Sequence, residues 1–242
     1  MGSASRSVAP RDVVPQPGLR ERKAAATRVA LARALWTRLA THDFGDITAD
    51  DLAADASVSR VTFFNYFPTK EHALDALLGM WLYEAQAVGE SSGLRGRALI
   101  EHLFATMGER VQESPERGRR LLSYLAGRPL DRPFTTFGPL ERELLAPGLD
   151  PLHEPKKLGD LLTEHVAIAR RAGEIDGSSS DYEIAHMLGC LLLGSATVGH
   201  SKPNQDWRRI YLHHVRRALG RARGDFSIAA RRPATETTRK RR

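Results

Sequence analysis

One stretch, Thr48 to Leu74, limits what this chain can become more than any other. It reads as two short helices joined by a tight turn. Thr48 is placed to cap the first helix, because its hydroxyl can accept from free backbone N–H groups of the first turn. Asp50 and Asp51 follow, where the helix dipole favours anions. Leu52, Ala53 and Ala56 supply a small apolar face. Ser57-Val58-Ser59 forms the turn, with Val58 plugging the angle between the helices. Ser59 caps the second helix, Arg60 to about Phe67, and Pro68 ends it because proline cannot continue a helix. Thr69 is expected to cap the next helix, with Lys70 and Glu71 in its first turn.

The second helix carries Arg60, Thr62, Asn65 and Tyr66 beside Phe63, Phe64 and Phe67. Arginine can reach guanine O6 and N7, asparagine can pair with adenine, and threonine and tyrosine can hold phosphates. Two helices and a turn carrying that set have the form of a helix-turn-helix with a recognition helix.

On these residues the segment resembles the DNA-binding domain of the TetR family of transcriptional regulators. The matching positions are Thr48, Val58, Thr62-Phe63-Phe64, Tyr66-Phe67 and Lys70-Glu71, within roughly residues 25–75. Three positions depart from the pattern. Ser57 stands where glycine is usual, Val61 where glycine or proline is usual, and Phe64 where tyrosine is usual. The resemblance implies DNA contact through Thr48, Ser59, Arg60, Val61, Thr62, Phe64, Asn65, Tyr66 and Lys70. Arg60 would read a base. Val61 and Phe64 would give apolar contact. Thr48, Ser59, Thr62, Tyr66 and Lys70 would fix register on phosphates.

Around this head the periodicity is helical throughout, and the expected fold class is all-α, with about nine helices and no strand. Helix 1 is expected over about 21–41, with Leu31, Ala32, Leu35, Trp36 and Leu39 on one face. Arg20, Arg22, Lys23 and Arg28 at its start suit either solvent or the DNA backbone. A long helix runs from Lys70 to about Val88, and Gly89-Glu-Ser-Ser-Gly93 reads as a break. Further helices are expected over 94–112, 115–126, 156–172, 181–199 and 206–222, with one helical turn at Leu140–Leu145. The segment 127–155 holds six prolines and is the least regular part.

The helix at 181–199 is apolar nearly all round, so something must cover it on every side. A second subunit is the simplest cover, and the resemblance implies a homodimer through helices 181–199 and 206–222. It also implies a small-molecule effector held by the middle helices. Trp81, Phe104, Met107, Tyr124, Phe134, Phe137 and His165 are the candidate lining. The expected organisation is therefore a disordered arm (1–20), a DNA-binding domain (21–69), an effector-binding and dimerisation domain (70–222) and a disordered basic tail (223–242).

Charge sharpens this division. Of the formal +7, residues 221–242 hold eight basic against two acidic groups, so the body is nearly neutral. Such a tail attracts any polyanion without sequence preference. No run approaches the ~18–20 apolar residues of a membrane span. The single Cys190 cannot form an internal disulfide, which suits a reducing cytoplasm. No cofactor or metal is expected. Glu183-x-x-His186 has the spacing of half a di-iron site, but no second pair accompanies it. Gly89-x-Ser91-x-Gly93 matches a nucleophile elbow only without the strand that motif requires. The competing reading is an all-α metal-dependent or hydrolytic enzyme whose helix-turn-helix is incidental. The favoured one is a ligand-responsive repressor, a homodimer on a palindromic operator.

Overall fold

The computed structural model describes residues 17–126, 137–149, 156–175, 179–198 and 205–220. Among these there are ten α-helices, one 3-10 turn and no strand. The helices are α1 (Leu19–Arg38), α2 (Ala49–Asp55), α3 (Arg60–Tyr66), α4 (Lys70–Ser91) and α5 (Gly96–Glu113), then α6 (Pro115–Ala126), α7 (Pro139–Leu145), α8 (Leu158–Arg171), α9 (Asp181–Val198) and α10 (Trp207–Leu219). The 3-10 turn, Phe44–Asp46, lies between α1 and α2. No described helix is long and apolar enough to cross a membrane. The tail, residues 1–16 of the arm and most of the proline-rich segment lie outside the described residues, while Leu19 and Arg20, expected in a disordered arm, already belong to α1.

The first three helices and the start of α4 close on one small core. Leu31 and Leu35 of α1, Leu39 beyond it, Leu52 of α2, Phe63 of α3 and Leu74 of α4 are all 0 % exposed. Phe44, Ile47 and Phe67 seal the same core from the connecting turns. Burying each of these large side chains contributes ~1.5–3 kcal/mol, which is why short helices such as α2 and α3 hold their shape. Alone, seven residues would not form a stable helix in water.

In the body, α5 packs against α4, α8 and α10, and α9 lies on α8, α10 and α6. The α5–α10 crossing is tight enough that a Cβ on Gly108 would stand 2.6 Å from the Arg208 backbone. Glu101 ties the same two helices together, accepting from Arg97 and Arg216. Burial alone would raise its pKa, but the two arginines outweigh it and hold the carboxyl below its usual range.

Two local expectations are corrected. The helix from Lys70 does not break at Gly89 but runs to Ser91. Gly89 is instead a packing position, since a Cβ there would meet Leu99 at 2.4 Å. Thr69 occupies the N-cap position of α4 without a capping bond, because its hydroxyl pairs with the His72 ring at 3.0 Å.

Candidate nucleic-acid interface and effector cavity

The turn between α2 and α3 is fixed at both ends by caps. The Thr48 hydroxyl accepts from the Asp51 N–H at 3.2 Å and donates to Asp51 Oδ2 at 2.7 Å. The Thr48 N–H also donates to that carboxylate at 2.9 Å. Those bonds, the hydroxyl's first, hold the Asp51 carboxyl below its ordinary pKa. At the other end, Ser59 Oγ accepts from the Thr62 N–H at 3.1 Å, and the two hydroxyls pair at 2.9 Å. Between them Ser57 has φ 55, the one described non-glycine residue in the left-handed region. That is the position where the family pattern has glycine.

The helix α3 divides sharply. Phe63 points into the core, and Thr62 and Tyr66 are half-buried. Arg60, Val61, Phe64 and Asn65 face solvent, with Val61 70 % and Phe64 40 % exposed. Arg60 donates to Asp50 of α2 at 2.5 Å and its guanidinium lies 5.4 Å from the Phe64 ring centre. Both charged side chains are well exposed, so the pair contributes little to stability and is readily exchanged.

Lys70 is placed differently from the expectation of a phosphate contact. Its ammonium donates to the carbonyls of Phe44, Gly45 and Ile47, each at 2.9 Å. An ammonium has three protons, and three carbonyls take them. Lys70 therefore pins the 3-10 turn to the start of α4. Sequence spacing does not announce this, because the partners lie 23 to 26 residues away.

The joint between head and body rests on α6 and α7. Arg120 of α6 donates to the carbonyls of Leu39 (3.0 Å) and Ala40 (2.5 Å) just past the end of α1, and pairs with Asp43 at 3.0 Å. Tyr124 packs on Phe44 with ring centres 4.0 Å apart, and Arg117 lies 5.2 Å from the Trp36 ring centre. On the other side Arg28 pairs with Glu141 of α7 at 3.4 Å and lies over Phe137. So Tyr124 and Phe137, expected around a cavity, belong to this joint. Arg28 belongs to it as well, while Arg20 and Lys23 stay exposed and Arg22 donates to the Pro17 carbonyl.

The body contains two small adjoining cavities. One, about 50 Å³, lies between α4, α5, α8 and α9; the second, about 20 Å³, lies under α6. Leu78, Trp81, Met107, Arg110 and Leu193 wall both. Trp81 meets Trp36 of α1 edge-on, with ring centres 4.6 Å apart. Of the other expected lining residues, Phe104 is fully buried against Tyr211, and Phe134 lies outside the described residues. His165 is buried away from the cavities, where its Nδ1 accepts from the Gly96 N–H at 3.0 Å and burial lowers its pKa. Arg110, which the sequence did not single out, is the one charged group in either lining. Ligand pockets commonly occupy ~300–1,000 Å³, and these two voids are far smaller.

Other candidate chemistry has local explanations. Glu183 accepts from the Ser180 N–H at 2.7 Å in a capping box that starts α9. No group of three or more metal-ligating side chains occurs among the described residues. Ser91 ends α4 and donates to the Val88 carbonyl. The helix α9 buries Ile184, Leu188 and Leu192 but leaves Tyr182 70 % and Met187 40 % exposed, with Cys190 on the surface. The apolar stripe of α10 packs within the chain, and its outer side carries Arg209, His213 and Arg217.

No protein-family model matches the chain, and neither does any curated protein. Solved structures do. FadR of Thermus thermophilus, a TetR-family transcriptional repressor determined with lauroyl-CoA, is 24 % identical over 79 % of this chain and 92 % of its own, with a TM-score of 0.52. The fatty acid degradation regulator FadR of Bacillus halodurans is 16 % identical over 86 % of this chain and 99 % of its own, with a TM-score of 0.56. A TetR transcriptional regulator from Rhodococcus sp. RHA1 is 14 % identical over 82 % of this chain and 95 % of its own, with a TM-score of 0.51.

Proposed function

We propose that this chain, which has the fold of the TetR-family transcriptional regulators, is a ligand-responsive repressor that binds a palindromic operator as a homodimer. The observation that carries the proposal is the outer surface of α3. A seven-residue helix exposes Val61 and Phe64 beside Arg60 and Asn65, a set that suits base edges and thymine methyls better than water. In the complex Arg60 leaves Asp50 for guanine, Asn65 pairs with adenine, and Val61 and Phe64 touch methyl groups. Thr48, Ser59, Thr62 and Tyr66 meet phosphates. Lys70 acts indirectly, by holding the turn that carries α2.

Residues 21–69 serve as the DNA-binding domain and 70–222 as the effector and dimerisation domain. Two subunits meet through α9, whose Tyr182 and Met187 supply apolar contact, with α10 alongside; light scattering at micromolar concentration tests this. The cavities beside Trp81 and Met107 receive the effector. The structure of Thermus FadR contains lauroyl-CoA, and an apolar chain suits the linings of this chain also. Two routes lead from the cavities to the head. Helix α4 is continuous with both, and α6 lines one cavity while gripping α1 and its end through Arg117 and Arg120 and the 3-10 turn through Tyr124. A ligand acts here only by preferring one arrangement of these helices over the other. The protein is not an enzyme on this reading, and its location is the cytoplasm.

The test is fluorescence-anisotropy binding to DNA from upstream of its own gene against scrambled DNA at about 0.15 M salt. Preference of ~10³-fold or more is expected, with Arg60→Ala losing ~1–3 kcal/mol on the operator. Equal binding to both DNAs, also after selection from whole-genome fragments, overturns the proposal.

A further inference from the structure

The two cavities share one polar group. Arg110 reaches both, and the other shared walls are Leu78, Trp81, Met107 and Leu193. One of its NH2 groups donates to Glu84 Oε2 at 2.6 Å, and the guanidinium lies 5.1 Å from the Trp81 ring centre. Its Nε–H is buried and meets no acceptor among the described residues. A buried donor left without an acceptor is costly, and this one belongs to a side chain that borders empty space.

Charge decides which acceptor fits. Arg110 and Glu84 neutralise one another at contact distance. A carboxylate or phosphate beside them would leave a net negative charge in an apolar chamber, or would have to expel Glu84. Either is unfavourable against these apolar walls, although the pair itself is about a quarter exposed. A neutral carbonyl oxygen takes the Nε–H and leaves the net charge unchanged.

Shape decides the rest. One cavity continues toward Leu158 and Leu192, the other toward Leu121, Leu122 and Leu125. Met107 and Leu193 stand at their common boundary. Methionine has an unbranched, adaptable side chain, so a shift of Met107 opens the two into one narrow apolar channel, with Arg110 along its length.

We infer that the channel takes a linear, uncharged, lipid-like molecule with a single carbonyl, a medium-chain ketone or ester, whose oxygen accepts from Arg110 Nε. This rests on the reading of these cavities as the effector site. Calorimetry on the full chain without DNA tests the ligand chemistry, using undecan-2-one, methyl decanoate, undecane and decanoate. The ketone and ester should bind saturably and decanoate at least ~10-fold more weakly, as should undecane, which lacks the acceptor. Arg110→Met is made together with Glu84→Gln, so that no carboxylate is stranded, and a melting curve reports its fold. In that variant the ketone should lose its ~10-fold advantage over undecane. Met107→Trp, which fills the boundary, should abolish binding of all four.

Decanoate binding as tightly as the ketone overturns the inference. So does a double variant that keeps the preference for the ketone, or a wild type that binds neither ketone nor ester. Operator release is read separately by anisotropy. A ketone that binds through Arg110 but leaves the operator complex unchanged breaks the effector reading and leaves the ligand chemistry standing.

Discussion

The head and the body of this molecule are both helical and both apolar inside, yet one layer of the body is packed less completely than the core of the head. In the head, residues from four helices meet with no exposed surface at Leu31, Leu35, Leu39, Leu52, Phe63 and Leu74. In the body, the layer around Trp81 and Met107 encloses two voids and a buried guanidinium N–H without an acceptor. On the regulator reading, the part that presents side chains to a rigid duplex gains from having one shape, and the part that answers to a small molecule needs slack that can be taken up. The two voids lie in the body, with Trp36 of α1 on the wall of the smaller one.

That contrast can be broken most forcefully in the head. Phe63→Ala removes a fully buried ring and should cost ~3–5 kcal/mol, read as a large drop in denaturation midpoint. Met107→Leu, in the slack layer, should cost less than ~1.5 kcal/mol. Equal losses would erase the distinction. Next comes the joint. Arg120→Met removes the donors to the Leu39 and Ala40 carbonyls and should cost ~1–3 kcal/mol. It should also weaken any coupling between ligand and DNA binding, seen as a smaller ligand-induced change in operator affinity.

A smaller effect of opposite sign is expected at Ser57. Its φ of 55 suits glycine, and Ser57→Gly should stabilise the head by ~0.5–1 kcal/mol, raising the thermal midpoint with little change in operator preference. The gentlest test is a pH slope in the body. Burial holds His165 neutral, below its ordinary pKa, with Glu164 and Glu90 opposing and Lys156 and Arg95 assisting. The unfolded chain takes up a proton near pH ~6.5 that the folded chain takes up only at lower pH. Stability from this group is therefore full above that value and is lost as pH falls through it. His165→Gln should flatten the thermal midpoint between pH ~7 and ~5.

What was legible in the sequence was local. Thr48 and Ser59 cap helices that begin on the next residue, and the spacing of Leu31 and Leu35 announces a buried face. What was illegible depends on partners far along the chain. Lys70 meets Phe44 from 26 residues away, and Arg120 meets Leu39 from 81. No periodicity encodes such meetings. The candidate cavity shows the same limit in another form. An apolar stripe announces that Phe104, Tyr124 and Phe137 are covered, but not whether protein or empty space covers them. Among the described residues chosen for an effector, only Trp81 and Met107 border these voids. Arg110 escaped notice because arginine on a helix surface ordinarily faces water.

The Arg60–Asp50 pair has a consequence for time spent off target. An unoccupied arginine on a recognition helix would seize any phosphate it met and slow the protein on every stretch of duplex. Here the guanidinium already has a carboxylate, so a lone phosphate offers little improvement. A guanine, with two acceptors at the right spacing, offers more. On the regulator reading, Asp50 sets a low threshold, because the exposed pair is readily exchanged. It lets the head pass quickly over sequences that are merely charged and hold where the bases complete the fork.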